Sequence, residues 1–255
     1  MKSFIAILLL LVAFAICSVT ADHEIRVENN CHFKIWPGVA NNPGKSLPLN
    51  GGFELDPHHS RSFHVPHGWS GRVWGRTNCN AHGHCETGDC GGKVECHGKW
   101  GALPATLAEI AFDQYQGMDF YDISLVDGFN LPVSILPIAG TFHRRSNQHN
   151  DCTATTCRTD INAHCPHELA VKDGHGKTIS CKSACTAFRT PEYCCTGAHD
   201  KATTCLRKFW KVDYPSQFKH WCPDAYSYAF DDPKSTWACI SSGSHQSGYV
   251  VKFCP

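Results

Sequence analysis

Three carboxylates, Glu109, Asp122 and Asp127, lie close together in the stretch Thr106–Asn130, TLAEIAFDQYQGMDFYDISLVDGFN. Paired carboxylates can protonate a leaving oxygen and activate water, which is what glycoside hydrolysis needs, and they also accept hydrogen bonds from sugar hydroxyls. The alternation of apolar and polar residues predicts two strands, Leu107–Phe112 and Asp119–Val126, joined by a polar turn containing Gly117. Leu107, Glu109 and Ala111 then share one face of the first strand, and Phe120, Asp122 and Ser124 share one face of the second. Asp127-Gly128 is a turn signal that places Asp127 where the second strand ends. A further short strand, GRVWGRT (71–77), carries Arg72, Trp74 and Arg76 on one face. Spacing alone does not make these groups converge. Acids facing solvent from a half-exposed sheet, and an arginine packed beside a strand tryptophan, are the plainer readings.

The elements that must hold them are short strands and disulfides. Residues 1–21 read as a secretory signal, with Lys2, the apolar run FIAILLLLVAFAI and small residues at Val19-Thr20-Ala21. The run is too short for a comfortable membrane span, so the mature chain is expected to start near Asp22, secreted and extracellular, with no stable membrane anchor. Of 17 cysteines, Cys17 belongs to this segment, and the remaining 16 fit a disulfide framework in an oxidising compartment. Adjacent Cys194 and Cys195 should go to different partners. No Cys-x-x-Cys pair is followed by a second knuckle at zinc-finger spacing, so neither a metal nor a cofactor is expected. Charge balances at 23 basic and 23 acidic residues without a basic run, which argues against a nucleic-acid partner. The 17 histidines, His58-His59 and His82-Gly83-His84 among them, would make the protein strongly cationic below about pH 6. There is no Asn-x-Ser/Thr acceptor for glycosylation.

Short alternating strands separated by Gly, Pro and Asn clusters predict a mainly β protein, an antiparallel sandwich, with strands near both ends of the chain meeting in one sheet. The sandwich is assigned to 22–77, 104–151 and 223–255. Residues 78–103, rich in Cys, Gly and His, form a small stapled excursion, and 152–222 form a cysteine-rich lobe of short helices and loops. In that lobe Ser183 is expected to cap a helix through Phe188, and Pro215 to stand near the first turn of another through Trp221.

The stretch GHCETGDCGGKVEC (83–96) resembles the signature of the thaumatin-like, or pathogenesis-related family 5, proteins. The resemblance extends through WGRTNC (74–79), TLAEIAF, DFYDISLVDGFNLP, EYCC (192–195), CPDAYSYAFDD (222–232) and the terminal FCP. Ala81 departs from the usual glycine, and the Thr141–Asn150 loop and the Cys205–Cys222 interval look longer than in small plant members. The resemblance implies a sandwich flanked by a large disulfide-rich lobe and a small hairpin lobe. It implies the bridges Cys31–Cys254, Cys79–Cys85, Cys90–Cys96, Cys152–Cys239, Cys157–Cys222, Cys165–Cys181, Cys185–Cys194 and Cys195–Cys205. It also implies the acidic cleft of the antifungal members, carried by Arg76, Glu109, Asp122, Asp127 and Asp224, with Arg72 the alternative arginine. The implied function is a secreted, monomeric antifungal defence protein that binds β-1,3-glucan or another wall polysaccharide. A weak endo-β-1,3-glucanase is the alternative, with Glu109 as acid, Asp127 as base, Arg76 holding the acids ionised, and Asp122 and Asp224 on sugar hydroxyls. An inhibitor of a secreted hydrolase is the third reading.

Overall fold

The structure is a computed structural model, described here for residues 22–242 and 246–255; the expected signal segment lies outside the described residues. In chain order the strands are β1 (His23–Asn29), β2 (Trp36–Asn41), β3 (Ser60–Val65), β4 (Ser70–Arg76), β5 (Leu107–Ala111), β6 (Met118–Ser124), β7 (Val133–Pro137), β8 (Phe142–His143), β9 (Thr155–Cys157), β10 (Ala170–Lys172), β11 (Thr178–Cys181), β12 (Trp237–Ser241) and β13 (Tyr249–Phe253). The short helices are α1 (Ala184–Phe188), α2 (Pro191–Cys194), α3 (Tyr214–Trp221) and α4 (Asp232–Ser235).

Two sheets make the sandwich. One has the order β3-β1-β13-β7-β9, and the other β2-β4-β5-β6-β12-β8. Period-two burial is clearest in β1, where alternate residues from His23 to Asn29 are buried. Its inward side chains Ile25 and Val27 share one core with Tyr121 and Ile123 of the opposite sheet and with Trp69 and Phe112 at the ends of its strands. Among the ladders between described strands, pairing is antiparallel except that β1 and β13 run parallel, Ile25 beside Tyr249 through Asn29 beside Phe253. Cys31–Cys254 joins the chain just beyond that pair.

Both strands of the acidic stretch form, and both end sooner than the alternation suggests. β5 stops at Ala111 because Asp113 takes a left-handed backbone, φ 52°, that turns the chain. β6 stops at Ser124 because Leu125 donates its N–H to Tyr226 of the returning chain instead of continuing the ladder. The eight disulfides are the pairs that the resemblance implies.

Residues 78–103 pack on β4 as a loop region stapled by Cys79–Cys85 and Cys90–Cys96. Its centre is Asp89, whose carboxylate accepts the backbone N–H groups of Cys85, Gly91 and Gly92. Those bonds outweigh partial burial and hold the acid below the usual carboxylate range. The Trp74 ring lies beneath this lobe, its indole N–H donating to Gly88 O at 2.8 Å. Glycine is required against it: a Cβ on Gly38 would come within 2.3 Å of the ring.

The larger lobe is a β10–β11 hairpin with α1–α3. Ser183 caps α1 by accepting from Thr186 N, Thr190 caps α2, and Asp213 caps α3 with Pro215 in its first turn. Tyr193, Trp210, Tyr214 and Tyr228 pack edge to face, and Tyr214 joins them to the main core.

Candidate functional site: an acidic row across three strands

The register of the six-stranded sheet brings together what spacing could not. Arg72 on β4 is directly opposite Glu109 on β5, and Glu109 is directly opposite Asp122 on β6. Side chains at paired positions point to the same face with Cβ atoms about 4.5–5.5 Å apart. Arg72, Glu109 and Asp122 are therefore consecutive members of one row on the sheet's outer face. Arg72 Nη2 reaches Glu109 Oε1 at 3.0 Å. Neither side chain is sealed off: 18% of Arg72 and 30% of Glu109 remain exposed. Trp100 from the small lobe covers the guanidinium, with Cζ 3.9 Å from the ring centroid, while 53% of the tryptophan faces solvent.

Burial raises the pKa of Glu109. The positive charge of Arg72 opposes that rise and the negative charge of Asp127 adds to it. Asp122 is raised furthest, by burial first and by the Glu109 charge second, and its Oδ1 is buried with no hydrogen-bond partner among the described residues. Asp127 is raised by burial and partly restored by Arg72. It sits in the turn after β6, against the large lobe, where Thr186 Oγ1 donates to its carbonyl at 3.1 Å. The next residue has to be glycine: Gly128 has φ 109°, and a Cβ would lie 2.5 Å from Cys181 O. One arginine thus faces three carboxyl groups that burial drives towards neutrality.

Arg76 does not belong to the row. It shares a face of β4 with Arg72 but lies four residues further along, about 13 Å by strand geometry. Its side chain is fully buried beneath the small lobe, where it donates to the carbonyls of Trp36, Pro37, Lys93 and Val94. The arginine beside the acids is Arg72. Asp224 also lies apart, accepting Thr156 N at 3.2 Å and standing 3.4 Å from His149 Nε2. The acid of that segment whose charge reaches Asp122 is Asp232, at the start of α4, held by Tyr226 Oη at 2.9 Å. Nothing in the sequence pattern singles out Asp232 or Trp100. Asp232 closes the quoted CPDAYSYAFDD string, and Trp100 is the lone aromatic of its loop, but neither has a periodic neighbour to fix its direction.

A cavity of about 400 Å³ lies elsewhere, between Phe33, Thr77, Asn130, Asn162 and Lys177, and holds none of these acids. The grouping with metal-ligand chemistry among the described residues is His23, His67 and Asp113, beyond the C-terminal end of β5.

The Thaumatin family profile matches residues 29–255. Thaumatin-like protein 1 of Prunus persica is 44% identical over 257 residues, covering 98% of each chain. Pathogenesis-related protein 5 of Arabidopsis thaliana is 43% identical over 251 residues, covering 97% of this chain and 95% of its own. Among solved structures, a laminaripentaose-producing β-1,3-glucanase in complex with laminaritetraose has a TM-score of 0.56 at 10% identity, covering 93% of this chain and 99% of that one. That last likeness is one of fold. The chain belongs to the thaumatin family, the thaumatin-like or pathogenesis-related family 5 proteins.

Proposed function

We propose that this protein is a secreted defence protein that binds β-1,3-glucan of fungal walls along the acidic row. The observation that carries the proposal is the single-register arrangement of Arg72, Glu109 and Asp122 beneath the exposed ring of Trp100. A glucan offers hydroxyls around each ring and apolar C–H faces above and below it. Carboxyl groups accept from the hydroxyls, Arg72 donates to ring and hydroxyl oxygens, and Trp100 offers a flat apolar surface for a C–H face. Raised pKa values add versatility, because a neutral carboxyl both donates and accepts.

Trp100→Ala should weaken retention on insoluble β-1,3-glucan by about tenfold, roughly the 1.4 kcal/mol of one aromatic contact. Its melting temperature should stay close to the parent's, because the ring packs on the surface; a co-sedimentation isotherm beside a thermal scan checks both.

One observation favours hydrolysis as the second reading. Glu109 is raised by burial and remains partly open, the condition of a general acid, and it senses the charge of Asp127. Reducing-end release from soluble β-1,3-glucan at about pH 5 separates the readings. If the row only binds, wild type and Glu109→Gln release nothing and both are retained on insoluble glucan. Sustained release by the wild type, reduced at least about 100-fold in Glu109→Gln with retention intact, would make the protein a glycosidase instead.

A further inference from the structure

His23, the first residue of β1, is fully buried, and its ring stacks on Phe112 with centroids 4.0 Å apart. Its Nδ1 lies 2.8 Å from Ser247 O. Ser247 Oγ lies 3.1 Å from the same nitrogen but gives its own hydrogen to Asp119, so both oxygens accept and Nδ1 carries a hydrogen. In a neutral ring Nε2 is then a lone pair, and it points at Asp113 Oδ2 from 2.6 Å. A lone pair facing a carboxylate oxygen at that distance is repulsive unless a cation lies between or beside them. The cation is either a proton held between His23 and Asp113 or a metal ion.

The surroundings favour the metal. His67 Nδ1 stands 2.7 Å from the same Oδ2, and Gly68 N donates to it at 3.1 Å. The protonated solution asks one oxygen to accept three N–H groups, although it has two lone pairs. A metal ion would instead take the lone pairs of both imidazoles and one from Oδ2, leaving the other for Gly68. The ring N–H of His23 on a backbone carbonyl is also how metal-bound histidines are usually oriented. The supports of Asp113 are built as well: its own N–H donates to Asp119 Oδ1 at 3.0 Å, and Asp119 is held by Tyr249 Oη at 2.9 Å and by the Ser247 hydroxyl.

We propose that His23 Nε2, His67 Nδ1 and Asp113 Oδ2 form a binding site for a divalent cation of the zinc type. These three atoms lie within 4.8 Å of one another. Two imidazoles, a carboxylate and a solvent molecule make the four-coordinate set such ions take, with donors about 2.0–2.2 Å from the metal. Binding requires the donor atoms to part to about 3.4 Å, the edge of that tetrahedron. His67 can move to open its own edge, since 65% of its side chain is exposed in the loop between β3 and β4, while the His23–Asp113 edge, 2.6 Å here, opens by a shift of the Asp113 carboxyl in the turn after β5. The exposed ring also opens the fourth position to solvent. His23 lies in one sheet, Asp113 follows a strand of the other, and His67 is in the loop that crosses between them, so the ion would clip the two layers together.

The test uses the tag-free mature protein, stripped with a chelator and titrated at about pH 7.5 with Zn(II) by calorimetry and with Co(II) by visible absorption. The expected result is one ion per chain with micromolar or tighter affinity and the intense d–d bands of a four-coordinate Co(II) site. His67→Ala, whose exposed side chain is not needed for folding, should lower affinity at least about 100-fold and abolish those bands. The His82→Ala/His84→Ala variant, which removes a surface histidine pair, should bind as the wild type does. An affinity unchanged in His67→Ala, a loss seen in the His82/His84 variant instead, or no binding by the wild type at about 100 µM metal would overturn the proposal and leave a proton between His23 and Asp113.

Discussion

Arg76→Ala is expected to destabilise the protein by about 3–5 kcal/mol, the range for leaving buried polar partners unpaired and opening a cavity at once. Arg76 is wholly buried and, among the described residues, its hydrogen bonds go to backbone carbonyls and Cys90 Sγ and not to a carboxylate. Burial brings its pKa down to about 10, with Asp89 the acid whose charge acts against that fall. Four backbone carbonyls take the place of water around it, three of them at 2.7 Å, two from the Trp36–Pro37 entry to β2 and two from Lys93–Val94 in the small lobe. The guanidinium is thus a bolt between sheet and lobe, with the planar fork that lysine lacks. Packing is tight enough that a Cβ on Gly52 would come within 2.7 Å of Nη2. Alanine would strand four acceptors and leave a hole. At about 2–4 °C per kcal/mol for a chain of this size, the melting temperature should fall by about 6–20 °C. Hydrogen exchange should speed up first in residues 78–103. A loss under about 1 kcal/mol, by denaturant titration, would mean the lobe is held by its disulfides alone.

Asp122→Asn should do the opposite near neutral pH, raising stability by about 1–2 kcal/mol. The wild-type carboxyl is raised by burial and by Glu109, so ionising it is less favourable in the folded chain than in the unfolded one. For an acid raised on folding, the native state binds more protons, and stability falls as pH rises from the unfolded value near 4 through the folded one. Glu109, Asp127 and Asp119 are raised as well and act in the same direction. Asp89, lowered by its backbone bonds, has its effect below about pH 4, outside that window. Melting temperature should therefore be higher at about pH 5 than at about pH 7.5, and the difference should shrink in Asp122→Asn. A wild type that melts higher at pH 7.5, or a variant with an undiminished slope, would show that the row is solvated and its carboxylates ionise freely.

What could be read from the sequence was what a single element encodes. Alternation placed Glu109 and Asp122 on defined faces of β5 and β6, and local capping chemistry fixed α1 and α3. The choice between Arg72 and Arg76 was not of that kind. Both occupy the same face of β4, and only the pairing with β5 decides which stands opposite Glu109 and which passes under the small lobe. The fourth acid is similar: Asp224 and Asp232 share one quoted string, but α4 and the Tyr226 hydroxyl bring Asp232 within reach of Asp122. The His23, His67 and Asp113 grouping had no legible spacing at all, because its members come from a strand end, a crossing loop and a left-handed turn. Strand ends were overrun for the same reason, since Asp113 and the Leu125 N–H bond stop the ladders where hydrophobic alternation continues.

The parallel pair β1–β13 with its covalent tie has a mechanical consequence. If the protein is pulled by its two ends, the load passes through Cys31–Cys254, and the residues between those cysteines, a sequence separation of 223, carry no tension. Reduction moves the force from the bridge onto the hydrogen bonds between β1 and β13. Parallel neighbours drawn from opposite ends slide along one another, so their hydrogen bonds resist together in shear instead of opening one at a time like a zip. Single-molecule stretching should therefore record rupture of a stiff clamp under reducing conditions and almost no extension under oxidising ones.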